Sequence, residues 1–128
     1  MKRPSVGLAI AVNRSVRADD EWFDEPDDIE RLRQALSAVD SIQDAAVAAA
    51  VIAYRVTRAQ AFGEANKRTA LLLARWTLDR NGLDGTAVIP PDDFPLAGLL
   101  VKAAAGTDVE AQLIATFVER VEGLAGDS

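Results

Sequence analysis

Apolar residues recur along most of this chain at the three- and four-residue spacing of amphipathic helices. The capping box Asp27-x-x-Glu30 predicts the start of one such helix, which runs to about Val39. Its apolar face comprises four residues: Ile29, Leu32, Leu36 and Val39. After a weaker capping box at Ser41-x-x-Asp44, the segment from Ala45 to Tyr54 is apolar on every face. That pattern is typical of a buried central helix, which we expect to continue to about Ala59.

A second strongly apolar helix is predicted from Thr69 to Arg80, where Asn81-Gly82 provides a C-terminal stop. The polar stretch before it is therefore a loop held between two buried central helices. Asn66 is a favourable N-cap for the second helix, which places Lys67 and Arg68 in its first turn. Cations at that end oppose the helix dipole, and an anion between them would relieve the conflict.

Two interpretations of this loop follow from the residues alone. A helix N-terminus with a capping Asn66, two adjacent cations and Gly63 nearby is suited to holding a phosphate group. An ordinary capped helix with two solvated basic residues accounts for the same pattern. The mounting of the loop on two rigid helices is what a precise site requires.

The flanking segments predict further helices. Ser5 caps a first helix that runs to Asn13, and Asp92 or Asp93 begins another that ends near Gly106. The four residues from Thr86 to Ile89 are compatible with a short strand without requiring one.

A last helix is predicted to open at the capping box Thr107-x-x-Glu110 and to end at Gly123. Four of its residues should face inward: Val109, Leu113, Phe117 and Val121. The predicted fold class is all-α, a compact single domain over residues 1–128 with about six helices.

Composition excludes several classes of function. The chain has no cysteine and no histidine, so thiolate metal sites, disulfides and the commonest general base are all absent. A net charge of −6 argues against direct nucleic-acid binding. The apolar run from Ser5 to Val12 is short for a signal peptide, and no segment reaches the roughly 18 apolar residues that span a bilayer. We therefore expect a cytoplasmic protein without membrane contact.

The stretch Phe62-Gly-Glu-Ala-Asn-Lys-Arg-Thr-Ala-Leu71 resembles the Doc branch of the Fic/Doc family. The Doc motif runs His-x-Phe-x-(Asp/Glu)-Ala-Asn-Lys-Arg-Thr-Ala-Leu, and the match is gapless. It continues to Arg80-Asn81-Gly82, where Doc proteins also end the helix. The strong part of the resemblance covers Arg58 to Gly82 and implies a compact Fic/Doc fold with the active-site loop between two central helices.

The resemblance also implies roles for individual residues, with ATP and Mg²⁺ as cofactors. Phe62 is similar to the motif phenylalanine that anchors the loop to the core. Glu64 takes the acidic position that holds a divalent metal bridging the nucleotide phosphates. Lys67 and Arg68 take the cationic positions that act on the transferred group. Five residues are implied to contact the nucleotide: Arg58, Gly63, Asn66, Lys67 and Arg68.

Doc proteins are toxins of toxin–antitoxin pairs, so the resemblance implies a specific activity. They act as kinases that phosphorylate a threonine of elongation factor Tu and arrest translation, and a Phd-type antitoxin neutralises them with a C-terminal helix. Lys67 and Leu71 stand where adenylyl-transferring Fic enzymes have Gly and a second Arg, which favours phosphoryl transfer over adenylylation. The chain lacks the Ser/Thr-x-x-x-Glu-Gly/Asn self-inhibitory motif, which is consistent with a separate antitoxin.

Gln60 occupies the position of the motif histidine, the base that takes the proton from the target hydroxyl. A glutamine amide does not accept a proton near neutral pH. General-base catalysis is typically worth about 10²–10⁴-fold, so this form is expected to be inactive or weakly active. Glu64 would be occupied by metal, and four other acids lie too far along the chain to be placed: Asp19, Asp20, Glu21 and Asp24.

Three interpretations of Gln60 stay open. The chain is a deliberately disabled variant of an active toxin, or a pseudoenzyme that retains nucleotide or antitoxin binding. The third interpretation is a slow enzyme that uses a base supplied by water or by the target.

Overall fold

The computed structural model describes residues 1–17 and 28–126, and this part of the chain forms helices without any strand. The helices are α1 (Val6–Val16), α2 (Ile29–Ser37), α3 (Ala45–Ala59), α4 (Asn66–Arg80), α5 (Gly85–Val88), α6 (Phe94–Ala104) and α7 (Glu110–Gly126). The predicted all-α class is confirmed. The described residues contain seven helices instead of about six, because α5 is an additional one-turn helix.

Helix α3 lies at the centre of the fold and contacts α2, α4, α6 and α7. Ala49, Ala50 and Ala53 are fully buried on its α7 side, together with Leu113 and Phe117. The small alanine side chains let neighbouring helices approach closely, while the larger residues of α7 fill the remaining space. The predicted central buried helix, its end at Ala59 and the inward face of the last helix are thus confirmed.

The second half of the core lies on the other side of α3, against α1, α2 and the start of α4. Leu32, Leu36 and Val39 point into it as predicted, but Ile29 is exposed. Helix α2 ends at Ser37, before Val39. Ile29 is the first residue of α2, and at that end of the helix it projects beyond the core.

Several predicted caps are displaced by one to three residues. Asp28 caps α2 by accepting from the Arg31 N–H, whereas Asp27 lies outside the described residues. Asp44, at the last position of the weaker box, is itself the cap of α3. Asp108 instead of Thr107 accepts the Glu110 N–H at the start of α7, which runs on past Gly123 to Gly126. In each case the cap is the aspartate nearest to the helix, which accepts one or two of the first free N–H groups.

The segment considered as a strand, Thr86 to Ile89, is helical. Asp84 accepts a hydrogen bond from the Ala87 N–H and caps α5. A Cβ at Gly85 would lie 2.6 Å from the Arg75 carbonyl oxygen, so only glycine fits where α5 meets α4. The capping bond and this contact favour a turn of helix over an extended segment.

Asp93 is the N-cap of α6 and also joins that helix to α7. One of its carboxylate oxygens accepts the Leu96 N–H, and the other accepts a hydrogen bond from Arg120 at 2.6 Å. Burial on its own raises the pKa of Asp93, but these two interactions outweigh burial and hold the pKa below its usual value.

Replacing Asp93 with asparagine is expected to lower the free energy of unfolding by about 1–2 kcal/mol at pH 7. Asparagine caps a helix as well as aspartate does, so the loss reports the charged contact with Arg120. Because the folded pKa is depressed, this stabilisation is complete above the unfolded pKa of 3.8 and is lost as the pH falls through the folded pKa. Urea unfolding at several pH values measures the difference, and a gap that does not shrink as the pH falls below 3.8 would contradict the assignment.

Within the described residues, every helix is too short or too polar to cross a membrane.

Candidate functional site

The loop from Gln60 to Ala65 joins the two central helices and turns back sharply on itself. Ala61 and Phe62 are buried, and the Phe62 side chain packs in the core on the α1–α2 side of α3. Gly63 and Glu64 are exposed at the tip of the loop. The buried first half therefore holds the polar second half in place at the start of α4.

The Asn66 side chain organises this loop from within. Its Oδ1 accepts the Phe62 N–H at 3.1 Å, and its Nδ2 donates to the Phe62 carbonyl at 3.0 Å and to Gln60 Oε1 at 3.4 Å. Asn66 is therefore not the N-cap: it is the first residue of α4, the cap position belongs to Ala65, and no side chain caps this helix. The side-chain amide of Asn66 is engaged within the loop. The group that Asn66 offers to an anion is therefore its backbone N–H.

Two residues of the loop adopt the left-handed backbone conformation, and neither is glycine. Gln60 has φ 49° and ends α3, and Ala65 has φ 62° and precedes α4. This conformation is unfavourable for side chains with a Cβ, and such strain concentrates at functional sites. Gln60 and Ala65 lie at the two ends of the loop, and both line the same cavity.

Replacing Ala65 with glycine is expected to raise the free energy of unfolding by about 0.5–1 kcal/mol, because glycine adopts positive φ without a steric cost. The same change at Ala115, an exposed position inside α7, is the matched control and should lower it by about 1 kcal/mol. Thermal and urea unfolding of the two variants measure both effects. Equal losses in the two variants would show that Ala65 is not strained.

Helix α1 supports the loop in a way that the sequence analysis missed. Asn13 is buried, and its Nδ2 donates to the Glu64 carbonyl at 3.0 Å and to Thr69 Oγ1 at 3.1 Å. Arg68 donates to the carbonyl of Val16 at the end of α1. A polar Asn13 among the apolar residues of the first predicted helix was the available signal. Its partner is far away in sequence and was not identifiable.

These elements enclose a cavity of about 740 Å³ at the N-terminal end of α4. We call it the loop cavity. Its polar side comprises Gln60, Gly63, Glu64, Asn66, Lys67 and Arg68. Its apolar side comprises Val16, Leu71 and four residues of α6: Ala97, Leu100, Val101 and Ala104. The α6 wall was not predicted, because the sequence does not show which face of that helix meets the loop. The volume is within the range of roughly 300–1,000 Å³ for small-molecule sites.

The charges of the loop cavity suit a bound anion. The first N–H groups of a helix have no partner inside the helix, and α4 has neither a capping side chain nor an acidic residue in its first turn. Lys67 and Arg68, both exposed, add two positive charges at the same end. Each of these features favours negative charge at the start of α4.

Glu64 is the one carboxylate among the described residues that line the loop cavity. No group of three or more histidine, cysteine, aspartate or glutamate side chains suited to a metal ion occurs in residues 1–17 and 28–126. A closed metal cage built by protein side chains is therefore absent from this part of the chain. The donor set instead fits Mg²⁺ held by one carboxylate together with the phosphates of a ligand.

Gln60 lines the loop cavity from the end of α3. Its Nε2 donates to the Thr57 carbonyl at 2.7 Å, and its Oε1 accepts from Asn66. The side chain thus closes the last turn of α3 and ties it to the start of α4. Apart from Lys67 and Arg68, Glu64 is the one ionisable side chain among the described residues that line the cavity. The four acids Asp19, Asp20, Glu21 and Asp24 lie outside the described residues.

Arg58 does not line the loop cavity. It lies in the last turn of α3 and faces a separate groove between α2 and α3. The structure thus brings together all the predicted nucleotide contacts except this one. Arg58 is still helical, whereas Gln60 is the left-handed residue that ends α3, and the two side chains line different concave surfaces.

The helices that carry the loop match a known protein family. A family model described as the Fic/DOC family matches residues 6–78, which is more than half of the chain. The match includes α1, α2, α3, the loop and most of α4. No curated protein matches the chain significantly. The chain therefore belongs to the Fic/Doc family.

Proposed function

We propose that this chain is a Doc-like protein kinase domain whose transfer step is impaired by Gln60. In this proposal it binds ATP in the loop cavity and transfers the γ-phosphoryl group to a threonine of elongation factor Tu in the cytoplasm. The consequence is arrest of translation, relieved by a Phd-type antitoxin. Fic/Doc proteins generally transfer AMP or phosphoryl groups, so the family agrees with a group-transfer reaction.

One observation carries the proposal: Gln60, Glu64, Lys67 and Arg68 line a single cavity at the uncapped start of α4. The backbone N–H groups of Asn66 and Lys67 offer donors to phosphate oxygens, and the two cations offset the charge that develops on the transferred group. Mg²⁺, held by Glu64 and the phosphates, would neutralise phosphate charge. Position 60 directly follows the last turn of α3 and lines the cavity. A base at this position would take the proton from the attacking hydroxyl.

Phosphoryl transfer is favoured over adenylylation by the wall of the cavity. Leu71 and the α6 residues make this side apolar, where a second arginine would stand in an adenylyl-transferring enzyme. An apolar wall offers no charge to an α-phosphate turned towards it. A γ-phosphate would instead meet the positive charges of Lys67 and Arg68.

The test is restoration of the base. The variant Gln60→His is incubated with elongation factor Tu, Mg²⁺ and ATP labelled on either the γ- or the α-phosphate. The proposal expects label from the γ-phosphate alone, on threonine. Label from the α-phosphate would instead establish adenylylation, and no label from either position would contradict the proposal.

The hydrogen bonds of Gln60 favour a second candidate, a non-catalytic binding module. Its amide completes α3 and engages Asn66, so the residue at position 60 has a structural use in the present loop. This candidate expects ATP or a Phd-type peptide to bind in calorimetry, binding to be lost in Arg68→Ala, and no transfer to appear in Gln60→His.

A further inference from the structure

A second concave surface of about 370 Å³ lies between α2 and α3 and shares no lining residue with the loop cavity. We call it the arginine groove. Six residues line it: Arg31, Gln34 and Ala35 of α2, and Arg55, Arg58 and Ala59 of α3. Its concentration of positive charge is unexpected in a chain whose net charge is −6.

The two helices build the groove by the same spacing. On each, the lining residues fall at positions i, i+3 and i+4, which lie on one helix face. On both helices the residue at i+4 is alanine, whose small side chain leaves the bottom of the groove open. The longer side chains at the other positions project above it. The result is a shallow trough with three guanidinium groups and one amide around it.

The guanidinium groups of the groove are not fully neutralised. Arg55 pairs with Glu110 at 2.6 Å, and this hydrogen bond raises the pKa of Arg55. Arg31 lies 3.4 Å from Asp28, but both side chains are largely exposed, so the pair contributes little. Arg58 forms no ion pair or hydrogen bond with any described residue. Three cations therefore have two counter-charges.

The Arg58 guanidinium lies against the turn between α6 and α7. A Cβ at Gly106, where φ is 102°, would lie 3.0 Å from Arg58 Nη1. The absence of a side chain at Gly106 lets the guanidinium lie close to the turn. This contact with Gly106 supplies no counter-charge to Arg58.

We propose that the arginine groove binds a small phosphorylated ligand through Arg31, Arg55 and Arg58. A phosphate group is tetrahedral and accepts hydrogen bonds from several directions, as two facing helices would supply them. Guanidinium groups match phosphate oxygens in pairs, and the Gln34 amide adds a neutral donor. The site shares no lining residue with the loop cavity, where ATP is proposed to bind.

The probe for this site is inorganic pyrophosphate, followed by calorimetry and by the NMR signals of the arginine Nε–H groups. We expect the signals of Arg31, Arg55 and Arg58 to shift on titration, and affinity to fall with rising salt. Replacing Arg58 with glutamine should weaken binding at this site about tenfold, the loss typical of one charge-assisted hydrogen bond. The control is Arg33→Gln on α2, because Arg33 pairs with Glu30 and does not line the groove.

Two further arms make the result decisive. The loop cavity is also expected to attract phosphate, so the Arg68→Ala variant is titrated as well. On addition of pyrophosphate, the NMR signals of the groove arginines should shift in this variant as they do in the parent. Succinate, a dicarboxylate, should bind more weakly than pyrophosphate, and equal binding would overturn the assignment to phosphate. Shifts confined to Arg68 and its neighbours, or equal binding by Arg58→Gln and Arg33→Gln, would overturn the site. Transfer by Gln60→His reports separately on the loop cavity.

Discussion

Replacing Gln60 with histidine is expected to raise the rate of γ-phosphoryl transfer by about 10²–10⁴-fold, the range typical of general-base catalysis. The backbone at position 60 is left-handed, with φ 49° and ψ 42°, and histidine is enriched in that conformation. The N–H of a neutral imidazole is also able to replace the bond that Gln60 Nε2 donates to the Thr57 carbonyl, which leaves the other ring nitrogen as the base. The variant should therefore fold as the parent does and gain a group that takes a proton near pH 7.

The matched control for this prediction is Gln60→Asn. Asparagine also tolerates the left-handed conformation and retains an amide, but it does not act as a base. Quantifying labelled threonine on elongation factor Tu should separate the two variants by the full factor. A second control, Gln60→His combined with Arg68→Ala, retains the base and removes a cavity cation. Equal rates for the histidine and asparagine variants would rule out a missing base as the defect.

The transfer rate of Gln60→His should also depend on pH. A histidine base acts in its neutral form, so the rate should rise as the pH passes through the histidine pKa, which is about 6.5 when unperturbed. The parent protein has no histidine and should not show this rise. A profile that is the same in parent and variant would indicate that the restored group is not the base.

Replacing Asn66 with alanine is expected to lower the free energy of unfolding by about 2–4 kcal/mol. The change removes three hydrogen bonds and leaves the N–H and the carbonyl of buried Phe62 without their partner. An unsatisfied buried backbone group costs more than the bond itself contributes. Urea unfolding followed by circular dichroism measures the loss.

The control for Asn66→Ala is Gln112→Ala, an exposed position on α7 that should change stability by less than about 0.5 kcal/mol. Asn66→Asp adds a finer comparison, because aspartate keeps the acceptor for the Phe62 N–H and removes the donor. It should fall between the parent and Asn66→Ala. A stability of Asn66→Ala equal to that of the control would show that the loop holds its shape without this amide.

The helices of the chain could be predicted from the sequence because the signal for a helix lies within a short segment. Apolar spacing depends on residues three and four positions apart, so it predicted α3, α4 and the inward face of α7. Helix starts were less accurate, because several aspartates compete for the same free N–H groups and the packed structure selects one. The one-turn helix α5 was missed for a related reason. Its geometry depends on Gly85 meeting the Arg75 carbonyl, a contact between two elements.

The sequence predicted the loop and its place between two buried helices, but it predicted only some of the contacts that the loop residues make. Lys67 and Arg68 do lie in the first turn of α4, where charge and spacing placed them. Asn66 was expected to cap the helix and instead holds Phe62, because the left-handed Ala65 turns the chain before the helix begins. Backbone conformation of this kind is not encoded by any single residue type. It results from the fit of the loop between two buried helices.

The sequence by itself determined the helical class, the two buried central helices, the family resemblance and the lack of a histidine at position 60. These depend on residue identity and on short-range spacing. Only the tertiary structure decided that Asn13 supports the loop, that α6 closes the cavity and that Arg58 lines a separate groove. Each of these depends on the angle and rotation at which helices pack. Packing is set by the whole core at once, so no short segment contains it.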